Sequence, residues 1–318
     1  MKNINVPVGI SNFEKIRQDG YYYVDKTGLI KDMLKNKIPE VTLITRPRRF
    51  GKTLAMSMLA SFFDIRRDSK KLFQGLNISK EQQLCNDWMN QYPTLFLSFK
   101  DVDGTIFENA LGLLQFTIAE LCKKHTYLIE SDVVDQDDKE TFRKLKSMGS
   151  NLPELQGSII MLMNMMKAYY NKQVILLIDE YDVPIAKASS NGYYKEMLEV
   201  MKAMLSTALK DNEALKFAVV TGCLKIAKES VFTGTNNFVS DTISSERYNE
   251  YYGFTQKDVD QILQDAQIEE KASDIKEWYD GYQFGNKEIY NPWSTLMYVK
   301  NITQDVSFKP ISFWANTS

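Results

Sequence analysis

The chain has 318 residues, 44% of them hydrophobic and 12% aromatic, enough for about two packed units with a sizeable core. Its 39 basic and 41 acidic side chains leave a net charge of −2, so bulk electrostatics makes no case for nucleic acid or an anionic membrane as partner. A single histidine, three scattered cysteines and the lack of a long apolar run argue against His-based triads, His-rich metal sites, a disulfide scaffold and a membrane span.

Met1-Lys2-Asn3-Ile4-Asn5 does not open a signal peptide, and a cytoplasmic location is expected. Tyr21-Tyr22-Tyr23-Val24-Asp25-Lys26-Thr27 precedes a helical segment from Gly28 to Asn36. Three consecutive tyrosines fit a nucleobase pocket and a packed edge strand equally well. Val41-Thr42-Leu43-Ile44 is an apolar strand that runs into Arg46-Pro47-Arg48-Arg49-Phe50-Gly51-Lys52-Thr53. A helix then starts, with Leu54, Met58 and Phe62 on one stripe. Pro93 to Phe99 reads as a second strand and Phe107 to Lys124 as an amphipathic helix, with Cys122 and His125 on its surface. Residues 131–151 are polar. Asp135, Asp137 and Asp138 lack the rest of a calcium loop, so they read as a solvated helix start. Residues 153–171 form a helix whose Met161, Met163, Met165 and Met166 suit an adaptable core.

Val174-Ile175-Leu176-Leu177-Ile178 is the pattern of a central parallel strand buried on both faces, and it ends in Asp179-Glu180-Tyr181-Asp182. Tyr193 to Leu209 is an amphipathic helix, and Lys216 to Thr221 another buried strand. From Phe254 the character changes. Thr255 with Asp258 resembles a capping box opening the helix Gln256–Asp265. Trp278 to Gly285 looks like a tight turn on a small core, and Asn291-Pro292 an N-cap followed by proline at the first helical position. Glu269-Glu270-Lys271 fits E-x-K but lacks the preceding Asp-bearing strand of a nuclease.

Two of these segments carry chemistry. Gly51, Lys52 and Thr53 complete the working half of G-x-x-x-x-G-K-[ST]: the glycine admits backbone N–H groups to a phosphate, the lysine reaches its outer oxygens, and the hydroxyl ligates Mg²⁺. The helix that follows points its positive end at the anion. Arg46 departs from the pattern by standing where its first glycine belongs. Two carboxylates at the end of a buried strand need compensation. In a phosphate-binding-loop enzyme Asp179 would hold the Mg²⁺ water shell and Glu180 would polarise the attacking water. Strands alternating with long helical stretches imply an α/β fold with a parallel, doubly wound sheet and a helical insertion between the two motifs. The ligand would lie at the carboxyl ends of the strands, where Gly51-Lys52-Thr53, Asp179-Glu180 and Thr221 all fall.

With these residues in place the chain resembles the AAA-ATPase-like family of bacterial P-loop proteins, relatives of the STAND-type and archaeal ATPases. The resemblance runs through Tyr23 to Thr27, Arg46 to Thr53, Ile178 to Asp182, Thr221-Gly222, Lys225 to Ser230 and Trp278 to Tyr282, and the Arg46 departure belongs to the family pattern. It implies an ATPase core over residues 1–250 and a helical lid or winged-helix-like segment over 251–318. A PD-(D/E)xK nuclease-like domain often follows in such proteins; here it is expected to be absent or truncated, since the chain stops about where it would begin.

The expected activity is Mg²⁺-dependent ATP binding and slow hydrolysis to ADP and phosphate. Arg46, Pro47, Phe50, Gly51, Lys52, Thr53 and Leu54 would form the nucleotide loop, and Thr53 and Asp179 would position the metal. Glu180 would serve as base, Thr221 would sense the γ-phosphate, and Arg48 or Arg49 would supply charge to the transferring group or brace the loop. The alternatives are a nucleotide-gated switch with little turnover, a nucleic-acid-processing module serving a fused nuclease, and a degenerate loop kept as scaffold. ATP is the expected ligand, with a homo-oligomer or partner protein to act upon. A nucleic-acid role would come through the missing domain and has no support in these residues. No membrane partner is expected.

Overall fold

The computed structural model describes residues 2, 4–35, 38–223 and 238–313. Its centre is a five-stranded, all-parallel sheet: β1 Val41–Thr45, β2 Thr94–Ser98, β3 Val174–Asp179, β4 Leu215–Gly222 and β5 Phe238–Asp241, in spatial order β2-β3-β4-β1-β5. This is a P-loop-NTPase-like α/β fold. Every residue of β1 and β3 is buried, as their unbroken apolar runs require, and alternate side chains enter two different cores. Val174, Leu176 and Ile178 join one cluster with Leu43, Ala218 and Val220; Ile175 and Leu177 join the other with Ile44, Phe217 and Val219. The strand that carries Thr221 lies between the loop strand and the Asp179 strand, with Ile44 opposite Thr221 and Ile178 opposite Val220. Their carboxyl ends therefore finish side by side.

Among the described residues eleven α-helices are interleaved with the first four strands: α1 Phe13–Gln18, α2 Gly28–Lys35, α3 Lys52–Phe63, α4 Lys70–Phe73, α5 Gln82–Trp88, α6 Phe107–Lys123, α7 Gln136–Lys146, α8 Leu152–Gln156, α9 Ser158–Tyr170, α10 Val183–Asn191 and α11 Tyr194–Leu209. Helices α6 to α9 are the helical insertion between β2 and β3. The expected single helix over 153–171 is two, meeting at Gly157, and its four methionines are buried core. Asp135 caps α7 by accepting from the backbone of Asp137 and Asp138. Cys122 and His125 are not on a surface: both are buried, because the chain turns after α6 into a short 3-10 segment, Thr126–Glu130, and folds the ring of His125 against Tyr127.

Beyond β5 come α12 Gln256–Ala266, α13 Ala272–Tyr279, a hairpin of β6 Tyr282–Phe284 and β7 Lys287–Ile289, and α14 Pro292–Gln304. The Thr255–Asp258 capping box and the Asn291 cap with Pro292 form as their residues predict. The hairpin sits between helices, where a compact turn was expected. Nor does packing divide at residue 250. Ile4, Val6, Val8, Tyr22 and Val24 share one cluster with Phe254, Ile262, Tyr290 and Tyr298. Tyr22 donates to Asp265 at 2.7 Å, and Lys26 bonds Asp258 at 2.6 Å and the carbonyl of Glu250 at 2.7 Å. Asp25 accepts from the backbone of Thr27 and of Asn77. Tyr21 to Thr27 is thus a joint without regular strand structure, tying three parts of the chain together. Lys225 to Ser230 lie outside the described residues.

Candidate nucleotide site

The loop between β1 and α3 turns on left-handed backbone at Arg49 (φ 71°) and Gly51 (φ 79°). Nothing lies within 4 Å of where a Cβ on Gly51 would sit, so conformation rather than crowding calls for glycine there. Lys52 is buried, and its ammonium donates to the carbonyls of Arg46 and Pro47, both at 2.9 Å, with Cys223 Sγ at 3.2 Å. The lysine is thereby held inside the concavity that its own loop makes. Thr53 Oγ1 donates to Asp179 Oδ2 at 2.8 Å, and Thr221 Oγ1 donates to Asp179 Oδ1 at 2.6 Å. Asp179 is fully buried, with each oxygen held by a hydroxyl.

Glu180 follows in left-handed backbone (φ 55°), a conformation that costs a non-glycine residue and concentrates at functional sites. The turn is fixed on both sides, since Tyr181 N–H donates to the carbonyl of Thr221 and Val183 N–H to that of Glu180. Burial raises the Glu180 carboxyl above the ordinary carboxylate range, and Asp179 and Asp182 add to the rise while Lys52 and Arg48 oppose it. Asp182, also buried, accepts from the backbone of Cys223 at 3.0 Å. A Cβ on Gly222 would fall 2.6 Å from Asp182 Oδ1 and 2.6 Å from the ring of Tyr181, so this close approach of β4 to the acidic turn is open only to glycine.

These groups border a cavity of about 870 Å³ whose walls include Gly51, Lys52, Thr53, Leu54, Glu180 and Asp182. Arg48 and Arg49 also line it. Arg48 is exposed, whereas the Arg49 guanidinium lies over the ring of Trp293, 4.1 Å from its centroid. The apolar wall is formed by Ile10, Tyr22, Val24, Phe254, Trp293 and Leu296, from both ends of the described chain. Two of the three tyrosines, Tyr22 and Tyr23, line the cavity.

Two sequence expectations, those for Arg46 and Thr221, change. The Arg46 side chain does not face the cavity. It is fully buried, ion-paired to Asp241 at 2.5 Å and bonded to the carbonyls of Thr45 and Asp241, and its N–H continues the sheet by donating to Gly222. Phe50 borders the cavity as expected, though its side chain is buried, with the ring packed edge-on against Tyr282. Thr221 stands behind Asp179 as an orienting donor, its one hydroxyl proton committed to that carboxylate. Ile10, Lys26 and Lys187 line the cavity without any sign of it in the sequence, since only the tertiary fold brings them to the loop. Among the described residues no three His, Cys, Asp or Glu side chains converge as a preformed metal cage, and none of the helices is long and apolar enough to cross a membrane.

A family model described as Predicted AAA-ATPase matches residues 7–232, well over half of the chain. The chain belongs to the AAA-ATPase-like family. A protein of Azotobacter chroococcum mcd 1, described as an uncharacterized protein in the vnfD 5' region, is 29% identical over 319 aligned residues, taking in 100% of this chain and 55% of its own length. This AAA-ATPase-like chain therefore spans about half the length of that relative. The matched segment includes the loop, the Asp179-Glu180 turn and Thr221, and ends before the C-terminal helices and hairpin.

Proposed function

We propose that this AAA-ATPase-like chain binds Mg·ATP in the cavity and hydrolyses it slowly to ADP and phosphate. The observation that carries the reading is the convergence of Lys52, Thr53 and Glu180, from two distant segments, on one cavity at the carboxyl edge of the sheet, with Asp179 held directly behind by its bond to Thr53. Lys52 and the loop amides around Gly51 take the phosphates; left-handed backbone of the kind found at Arg49 and Gly51 is what builds anion-binding nests. The apolar wall of Ile10, Val24, Phe254 and Leu296 suits a nucleobase. The preference for adenine follows from the family and from the lack of an Asn-Lys-x-Asp motif.

Thr53 and Asp179 offer oxygen donors only, which suits a hard cation shared with substrate phosphates. Thr53 and Asp179 would hold Mg²⁺, which would supply charge neutralisation to the substrate phosphates. Glu180 accepts a proton from the attacking water as its oxygen bonds the γ-phosphorus, and the bond from that phosphorus to the β-γ bridging oxygen breaks to release ADP. The raised proton affinity of Glu180 makes it a better base than an ordinary carboxylate. Arg48, exposed at the cavity edge, is the loop cation placed to meet charge on the transferring group.

Single-turnover hydrolysis of labelled Mg·ATP, with protein in excess, tests this. Phosphate release in the wild type, lost in Glu180→Gln while ATP still binds, is the expected result. Binding without release in either protein would favour a nucleotide-gated switch. The stacking of Arg49 on Trp293 favours that second reading and gives it a fluorescence reporter. Trp278, about half exposed (48%) and off the cavity, is not one.

A further inference from the structure

Two loop residues, Arg46 and Phe50, pack against aromatic side chains of the C-terminal segment. The Arg46 guanidinium lies 5.2 Å from the ring centroid of Phe284 and 5.4 Å from that of Tyr252. Phe50, next to Gly51, packs against Tyr282 at 4.7 Å and Phe284 at 5.2 Å. Both ends of the loop thus rest on one aromatic side chain of the β6–β7 hairpin. The hairpin is itself well held: Asn249 Nδ2 donates to the carbonyl of Phe284 at 3.1 Å, and Gly285 N–H donates to that of Ile243 at 2.7 Å. Gly253 passes so close that a Cβ there would sit 2.2 Å from Ile289 and 3.0 Å from Phe50. Arg46 closes the ring by its buried pair with Asp241, at the end of the strand next to β1. Phe284 does not line the cavity, so any effect it has on ligand passes through Arg46 and Phe50.

We infer that Phe284 is a positioning residue for the phosphate-binding loop, and that docking of the β6–β7 hairpin and the phosphate-competent shape of the loop are a single coupled equilibrium. This coupling rests on the reading of the loop as a nucleotide site. It explains why an arginine stands at Arg46 where a phosphate loop usually has glycine: the side chain is the loop's anchor to the C-terminal segment. Linkage makes the effect reciprocal. Whatever factor hairpin docking adds to nucleotide affinity, bound nucleotide adds to hairpin docking.

The test uses the full chain and three proteins: wild type, Phe284→Leu and, as a control for simple loss of stability, Phe142→Leu, which is equally buried in the helical insertion. Mg·ATP affinity is measured by calorimetry, folding by circular dichroism and thermal melting, and amide hydrogen exchange over residues 282–289 with and without Mg·ATP. Leucine keeps an apolar side chain but removes the ring face beneath Arg46. The expected result is a loss of Mg·ATP affinity on the order of fivefold or more in Phe284→Leu, the low end of ordinary coupling, and none in Phe142→Leu. Hairpin amides of the wild type are expected to exchange more slowly with Mg·ATP bound. Equal affinity in wild type and Phe284→Leu would overturn the proposal, as would hairpin exchange indifferent to nucleotide. Should Phe284→Leu fail to fold, the wild-type exchange result alone decides. A wild type that binds no Mg·ATP overturns the nucleotide reading first and this coupling with it.

Discussion

Thr53 Oγ1 and Asp179 Oδ2 are bonded to each other across 2.8 Å, although 126 residues separate them in the chain. One comes from the first turn of α3 and the other from the last position of β3, so the packing of that helix on the sheet sets their distance. In the proposed reading a divalent cation held here would draw on both oxygens. Asp179→Asn keeps the shape and removes the charge. Magnesium is expected to tighten ATP binding in the wild type, and that gain is expected to fall by roughly tenfold or more in the variant, leaving metal-free affinity unchanged. Calorimetric titration of ATP with and without chelator reads both numbers. A gain from magnesium that survives in Asp179→Asn would remove Asp179 from the metal site.

Glu180 must be ionised to act as a base, and its carboxyl is held above the ordinary range first by burial and then by Asp179, with Lys52 and Arg48 working against the shift. The acid limb of the single-turnover rate is therefore expected at higher pH than for an unperturbed glutamate, whose value is about 4.3. Arg48→Ala takes away one of the opposing cations and should move that limb higher still. A limb that stays put or moves to lower pH in Arg48→Ala would contradict the assignment.

Gly222→Ala places a methyl group 2.6 Å from both the ring of Tyr181 and the carboxylate of Asp182, neither of which has room to retreat. Overpacking of this kind costs about 1–3 kcal/mol. The variant should melt earlier and hydrolyse ATP more slowly, because the displaced turn carries Glu180. Gly112, within α6 and with nothing inside 4 Å, is the contrasting position: Gly112→Ala is expected to gain up to about 1 kcal/mol. Thermal melts of both variants decide the matter; equal shifts would mean that the crowding at Gly222 is relieved by movement of β4.

His125 is buried, and burial, with help from Arg66 and Lys124, lowers its pKa to about 3. In the unfolded chain the imidazole takes up a proton near pH 6.5. Between those values the unfolded state binds more protons, so stability rises with pH across the window and is lost as pH falls through it. From about pH 7 to pH 5 the wild type should lose about 2 kcal/mol more than His125→Gln, measured by urea unfolding. Parallel losses in the two proteins would show that the imidazole is not held neutral.

The legible parts of this protein were the local ones. Five consecutive aliphatic residues ending in Asp179-Glu180 announce a strand covered on both faces, and Gly51-Lys52-Thr53 announce the loop, because each pattern is set by its immediate neighbours. What sequence left open depends on distant partners. Arg46 stands in a phosphate-loop motif, and only Asp241, 195 residues away, turns its side chain into the interior. Cys122 and His125 flank the charged end of a helix and read as surface, yet the 3-10 turn after α6 seals them in. Tyr22 and Tyr23 were compatible with both a base pocket and an edge strand. They form no strand, and they line the cavity while also making tertiary contacts: Tyr22 with Asp265, and Tyr23 edge-on with Phe13. Trp293 follows the readable cap Asn291-Pro292, but nothing local says that its ring lies under Arg49.

The shared cluster of residues 4–24 with residues 254–313 also sets an order of events during synthesis. Tyr22 cannot meet Asp265 until a further 243 residues have been made, which at typical elongation rates of 5–20 residues per second is a wait of roughly 12–50 s. The central sheet, with its strands from Val41 onward, can assemble in that interval, while Ile4, Val6 and Tyr22 remain without their apolar partners. Residues made before the central sheet are thus among the last to be packed, which places closure of the cavity's apolar wall at the end of folding.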